Sequence, residues 1–216
     1  MAPSAITGYI PQWWPRGPQE GRMGMKLNLL QSGNYPQRSN WIAALAHELG
    51  HICGLWHEHQ RPDRDHYVRF NCEALKGYDQ AKKISDREGH HTMDEICASG
   101  ALAATYGFDM VAQYDTIEHI DPASDVQGQI WYWKQNYPYH DYDDNSIMCY
   151  SSNAHYWRKN DELLRVSLAL WRDRLPDFVP PKEFTKDDLD NVYRVDKPSP
   201  KGVEGIKKLY PWGSDW

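Results

Sequence analysis

Apolar and polar positions along this chain form a few short periodic runs separated by long stretches with no period. From Met25 to Leu30, apolar Met25, Leu27 and Leu29 alternate with Lys26 and Asn28, the two-residue period of a strand. A helical run opens near Ser39 or Asn40, either of which can cap a helix. It continues through Trp41-Ile-Ala-Ala-Leu-Ala-His-Glu-Leu-Gly-His and meets a natural stop at Gly54. Asn71 to about Glu88 predicts a polar helix lying on the surface. Thr92, with Glu95 three positions later, is a capping box that opens another helix toward Tyr106. Residues 107–145 are aromatic and acidic without helical period, so mostly irregular chain is expected there, of a kind that can wall a cleft. Three prolines punctuate Leu175 to Pro181, and Gly202 to Tyr210 predicts a short amphipathic helix closed by Pro211 and Gly213.

The first helix carries candidate chemistry. His47-Glu48-Leu49-Gly50-His51 sets two imidazoles four residues apart, on one face of a 3.6-residue helix and one turn apart, where both can grip a single ion. A catalytic zinc takes three protein ligands and leaves its fourth position to water, so a third donor is needed beyond this turn. His57 is the candidate: it could not reach the ion if the helix continued, but Gly54 permits a positive φ and a reversal there. The bare pattern arises in roughly one random chain in forty of this length, and Gly54 and His57 in register make coincidence far rarer. Glu48, between two ligands, suits the role of general base, although most helix glutamates are merely solvated. His59, two residues past His57, points the other way in an extended segment and reads as an outer residue. His66, His90, His91, His119, His140 and His155 have no ligand spacing.

Composition narrows the partners. Twenty-four Lys and Arg against thirty Asp and Glu leave a formal charge of -6 over 216 residues, with no basic stripe for nucleic acid or an anionic membrane. The longest apolar runs, such as Ile42 to Ala46, fall far short of the roughly 20 residues that cross a bilayer. Met1 to Trp14 shows neither the basic start nor the apolar core of a secretory signal. Of the four cysteines, Cys72 and Cys97 bracket the two polar helices, so a bridge between them is expected; Cys53 and Cys149 form a weaker second pair.

His47 to Val68 reads H-E-L-G-H-I-C-G-L-W-H-E-H-Q-R-P-D-R-D-H-Y-V and resembles the extended zinc signature of the astacin family of metzincins, with Glu58, Arg61, Asp63, Arg64, Asp65 and Tyr67 completing it. Ser146-Ile147-Met148-Cys149-Tyr150 resembles that family's Met-turn. The likeness extends from about Gly24 through the zinc helix, the Met-turn and the last helix near Ile206 to Tyr210. It implies that Met148 floors the zinc site and that Tyr150 ligates zinc through its phenol, then swings off to stabilise the oxyanion, a job a phenol donor suits. Departures are Cys149 where the family has histidine, a longer connection from Val68 to Ser146, and only 46 residues ahead of His47, which implies a shortened upper lobe. In the family Glu58 is tied to the mature N-terminus, a pairing this chain's different start leaves open.

The expected fold is α+β, a metzincin-like two-lobed catalytic domain with a zinc helix and a largely irregular C-terminal lobe. A single domain over 1–216 is expected, with a partial N-terminal lobe in 1–54 and the Met-turn lobe in 55–216. The expected function is that of a secreted, monomeric endopeptidase acting on protein or peptide. One zinc sits on His47, His51 and His57, Glu48 and Tyr150 are catalytic, and no nucleic acid or membrane is involved. Substrate is expected to pair with the Met25 to Leu30 strand; Arg172 or Arg174 could favour an acidic residue, though surface solvation explains either. Competing readings are another metzincin, a zinc hydrolase of non-protein substrates, or a structural zinc module, which a missing Cys-x-x-Cys disfavours.

Overall fold

The computed structural model describes residues 4–5, 25–26, 38–116, 141–155 and 162–209. They fall into two compact units. One holds the described residues up to Glu58, together with 145–149 and those from Arg194 onward; the other holds 59–144 and 150–193.

In the first unit, β1 (Ser4–Ala5) pairs antiparallel with β2 (Met25–Lys26), Ser4 opposite Lys26 and Ala5 opposite Met25. The rest of the expected 25–30 strand lies outside the described residues, as does most of the irregular chain expected over 107–145. Both strands lie against α1 (Arg38–Ile52). This helix begins at Arg38, so Ser39 and Asn40 stand in its first turn. It ends in a Schellman motif: Leu55 N–H donates to Gly50 O at 2.9 Å and Gly54 N–H to His51 O at 2.8 Å, with Gly54 at φ 93°. A side chain there would be strained, so Gly54 is what lets the chain reverse. The C-terminal helix α5 (Pro200–Leu209) matches the amphipathic run and is capped by Ser199, whose Oγ accepts from Gly202 N–H at 2.9 Å.

The second unit contains a three-stranded antiparallel sheet in order β3-β4-β5, from β3 (Val68–Phe70), β4 (Leu168–Trp171) and β5 (Leu189–Asn191). The sequence leads one to expect a largely irregular lobe here, and this sheet is the main departure. All four residues of β4 are buried, and Ala169 and Trp171 pack with Val166 and Leu189, flanked by Leu163, Leu164, Phe178 and Phe184. The polar helix expected over 71–88 is instead a single tight turn (Cys72–Ala74) followed by α2 (Tyr78–Glu88), because Gly77 at φ 110° breaks the backbone between them. The capping box forms as read: Thr92 Oγ1 accepts from Glu95 N–H, and Glu95 Oε2 accepts from Thr92 N–H at 2.7 Å. The helix it opens is split, however, into α3 (Met93–Cys97) and α4 (Gly100–Thr105). Ser99 caps the second piece through Leu102 N–H, and Gly100 lies so close to Ala112 that an added Cβ would stand 2.8 Å from its Cα.

Cys72 and Cys97 are joined in a disulfide, as the sequence predicts. A loop of this length, with a sequence separation of 25, removes chain entropy from the unfolded state worth about 3.5 kcal/mol. Cys53 and Cys149 are not bridged.

Candidate metal centre

The site grows out of the end of α1. His47 and His51 stand one turn apart, and the Gly54 reversal returns the chain so that His57 meets them. His57 Nε2 lies 3.2 Å from His51 Nε2 and 3.2 Å from His47 Nε2, and among the described residues this is the group of donors that can hold a metal ion. Four-coordinate zinc with Zn–N bonds of about 2.0–2.1 Å has ligand–ligand edges of about 3.3–3.4 Å. The observed spacing therefore matches two edges of such a tetrahedron.

Backbone carbonyls set the tautomers. His47 Nδ1 donates to Ile147 O at 2.8 Å and His51 Nδ1 to Leu55 O at 2.8 Å. Each Nδ1 thus carries the proton, and each Nε2 turns a lone pair toward the common point. The Schellman turn and the 145–149 segment therefore orient ligands as well as chain. Burial lowers the pKa of His47, and the Ile147 carbonyl only partly offsets it. Burial, with the neighbouring His47, takes His51 down to about 4. Both rings are neutral near pH 7, the state that binds metal. Neutral imidazoles aiming lone pairs at one another repel unless a cation lies between them, so the residues present fit a zinc ion.

Glu48 is on the same helix, 8% exposed. Met148, 2% exposed, seats its sulfur against α1, where a Cβ on Gly50 would stand only 2.5 Å from Sδ. Glu58 N–H donates to Met148 O at 3.1 Å. The Met148 contact explains a helical glycine that sequence reasoning passes over. Gly50→Ala gains about 1 kcal/mol of helix propensity but overpacks Met148 at a cost of about 1–3 kcal/mol. Thermal unfolding followed by circular dichroism should show a lower Tm, and a raised Tm would mean that Met148 is not seated there.

Tyr150 belongs to the second unit and is not among the donors that converge on one point. Its hydroxyl donates to Gln113 Oε1 at 3.0 Å, a partner the sequence gives no sign of. His59, fully buried, donates from Nε2 to Gln113 O at 3.0 Å and accepts Tyr150 N–H at Nδ1, so it serves the backbone, in keeping with its reading as an outer residue. The remaining signature residues build a buried polar frame. Arg61, 1% exposed, makes a two-pronged bond to Asp63 at 2.8 and 2.7 Å and lies over the Tyr142 ring, which stacks on Tyr67. Arg64 donates to the carbonyls of His59 and Tyr114. Arg174 pairs with Asp144 at 2.7 Å and the exposed Arg172 with Asp190 at 3.4 Å.

Three imidazole nitrogens at tetrahedral spacing, two of them from an H-E-x-x-H helix, define a zinc metallopeptidase type of site. Residues 36–124 match the astacin family of peptidases, and the chain belongs to that family. The matched stretch takes in the zinc helix and its signature and ends before the Ser146 to Tyr150 segment. The chain is 37% identical over 70 residues to Tolloid-like protein 2 of Homo sapiens, covering 32% of this chain and 6% of that protein. It is 71% identical over 76 residues to zinc metalloproteinase nas-39 of Caenorhabditis elegans, covering 34% and 8%, and 31% identical over 98 residues to zinc metalloproteinase nas-5 of the same organism, covering 44% and 24%. The chain thus spans a quarter or less of the length of these relatives. No helix among the described residues is long and apolar enough to cross a membrane.

Proposed function

We propose that this chain is a zinc-dependent endopeptidase that hydrolyses internal peptide bonds, with His47, His51 and His57 holding one zinc. The observation that carries the reading is the convergence of three Nε2 atoms at 3.2 Å spacing. When bound, zinc acts as a Lewis acid and brings the pKa of water toward neutral. Glu48 takes the proton from that water as it attacks the peptide carbonyl and passes it to the departing amine. The carbonyl oxygen gains negative charge as this happens, and the Tyr150 phenol donates a hydrogen bond to it. The architecture that suits this chemistry is a metzincin-like two-lobed catalytic domain over 1–216, with Met148 as the apolar floor. An extended substrate finds backbone partners on the edge of β2. The Cys72–Cys97 bridge supports an oxidising, extracellular setting, and the chain acts as a monomer.

Metal analysis with a casein-degradation assay, run with and without a zinc chelator, tests the reading. One zinc per chain and chelator-sensitive cleavage are expected; cleavage that survives complete zinc removal would refute it. Tyr150→Phe should lower kcat by about 10² to 10³-fold with little change in KM, since the phenol's bond to the oxyanion forms chiefly in the transition state. A wild-type rate in that variant would leave the tyrosine a structural role and withdraw the astacin-type step, while a zinc peptidase reading would stand.

A further inference from the structure

A phenol has one proton, and in this structure Tyr150 gives it to the side-chain carbonyl of Gln113. The arrangement is built rather than incidental. His59 ties the backbones of both residues together, accepting Tyr150 N–H at 3.3 Å and donating to Gln113 O at 3.0 Å. Its ring lies 4.6 Å from the Tyr150 ring, tilted by 34°. Tyr114 and His155 meet the same ring edge-on at 5.8 and 5.0 Å. His155 holds a left-handed backbone at φ 56°, uncommon for a residue with a side chain, and its Nδ1 lies 3.3 Å from the Tyr114 hydroxyl. One buried histidine thus brings Gln113 opposite the phenol, and two more rings hold that phenol in register.

We propose that Gln113 is a positioning residue that docks the Tyr150 hydroxyl in a resting state, so that the phenol must leave Gln113 before it can donate to substrate. The inference rests on the role assigned to Tyr150 above. While docked, the phenol spends its proton on Gln113 and has none for the carbonyl oxygen. The share of chains ready for the chemical step is then set by how well Gln113 accepts. Gln113 is itself exposed, which makes it replaceable without disturbing a core.

Gln113→Met keeps the length and removes the acceptor; Gln113→Glu keeps an acceptor and strengthens it by charge. On the full chain with one equivalent of zinc, Gln113→Met should raise kcat by about 2- to 10-fold, the range expected for one net hydrogen bond, with KM unchanged. Gln113→Glu should lower kcat below wild type. A merely structural role would lower both. In a Tyr150→Phe background neither substitution should matter. Independently of activity, the carbon-13 resonance of Tyr150 Cζ in the metal-free chain, assigned by its loss in Tyr150→Phe, should shift on Gln113→Met. The docking role is overturned if Gln113→Met leaves kcat unchanged or lowers it, if its effect persists without the Tyr150 hydroxyl, or if the Cζ resonance stays put. A slow Tyr150→Phe beside an inert Gln113→Met sinks the docking alone, whereas Tyr150→Phe at the wild-type rate sinks the tyrosine's role and the docking with it.

Discussion

Glu48→Gln should leave the chain folded and loaded with zinc yet nearly inactive, with kcat lower by about 10² to 10⁴-fold, the usual contribution of a positioned general base. The substitution preserves size and polarity, and Glu48 is not among the three converging nitrogens, so the metal content should not change. What disappears is the ability to take and return a proton: an amide cannot accept one near neutral pH. Glu48 is buried on α1 between two of the donors, which makes a solvent-facing ion pair a poor account of it. Zinc content and steady-state cleavage of one peptide, measured on the same preparation, check both halves. Cleavage within tenfold of wild type at full zinc occupancy would remove Glu48 from the mechanism.

The parts of this molecule that can be read in advance are those whose signal is local. The H-E-x-x-H spacing works because a helix of known pitch converts sequence distance into geometry. Gly54 is readable because few other residues allow the left-handed turn that closes α1. Thr92 and Glu95 announce their helix start for a similar reason, as the two hydrogen bonds join residues three apart. The sheet of the second unit is hidden because its strands are three or four residues long and its central strand, Leu168–Trp171, is buried throughout and so shows no alternation. The split of the 92–106 helix is hidden because it answers to Ala112, a tertiary neighbour, and to a second cap at Ser99.

The same division runs through the candidate site. The three imidazoles are legible; what orients them is not. The carbonyls of Leu55 and Ile147 carry no side-chain signal, and Ile147 is 100 residues from His47. Gly50 looks like a weak point in a helix until Met148 is seen against it. Gln113 lies 37 residues from Tyr150 in a stretch without periodicity, so only the folded chain shows what it holds.

His51→Ala should abolish zinc binding at neutral pH, leaving less than about a tenth of an equivalent after dialysis, since even residues that only orient a ligand are worth about 10- to 100-fold in affinity. His51 supplies one corner of the donor triangle, and its Nδ1 bond to Leu55 O also anchors the turn that returns His57. Removing it therefore costs a ligand and the placement of another. His90→Ala, at an exposed histidine outside the triad, should keep a full equivalent. Acid should act in the same direction as the substitution. In the metal-free fold the His51 pKa is lowered to about 4 from an ordinary 6.5, so above 6.5 the ring is neutral in both folded and unfolded chains and contributes no pH dependence. As pH falls from 6.5 toward 4, the unfolded chain takes up the proton first and the fold loses stability, by about 3 kcal/mol across that window. Bound zinc opposes this, because the ion competes with the proton for the same Nε2. The zinc-loaded chain should therefore resist acid unfolding better than the metal-free chain between pH 6 and 4, and His51→Ala should show no such gap. Elemental analysis and denaturant midpoints across that range measure it. If His51→Ala retains a full equivalent of zinc, the ligand set proposed for this site is wrong.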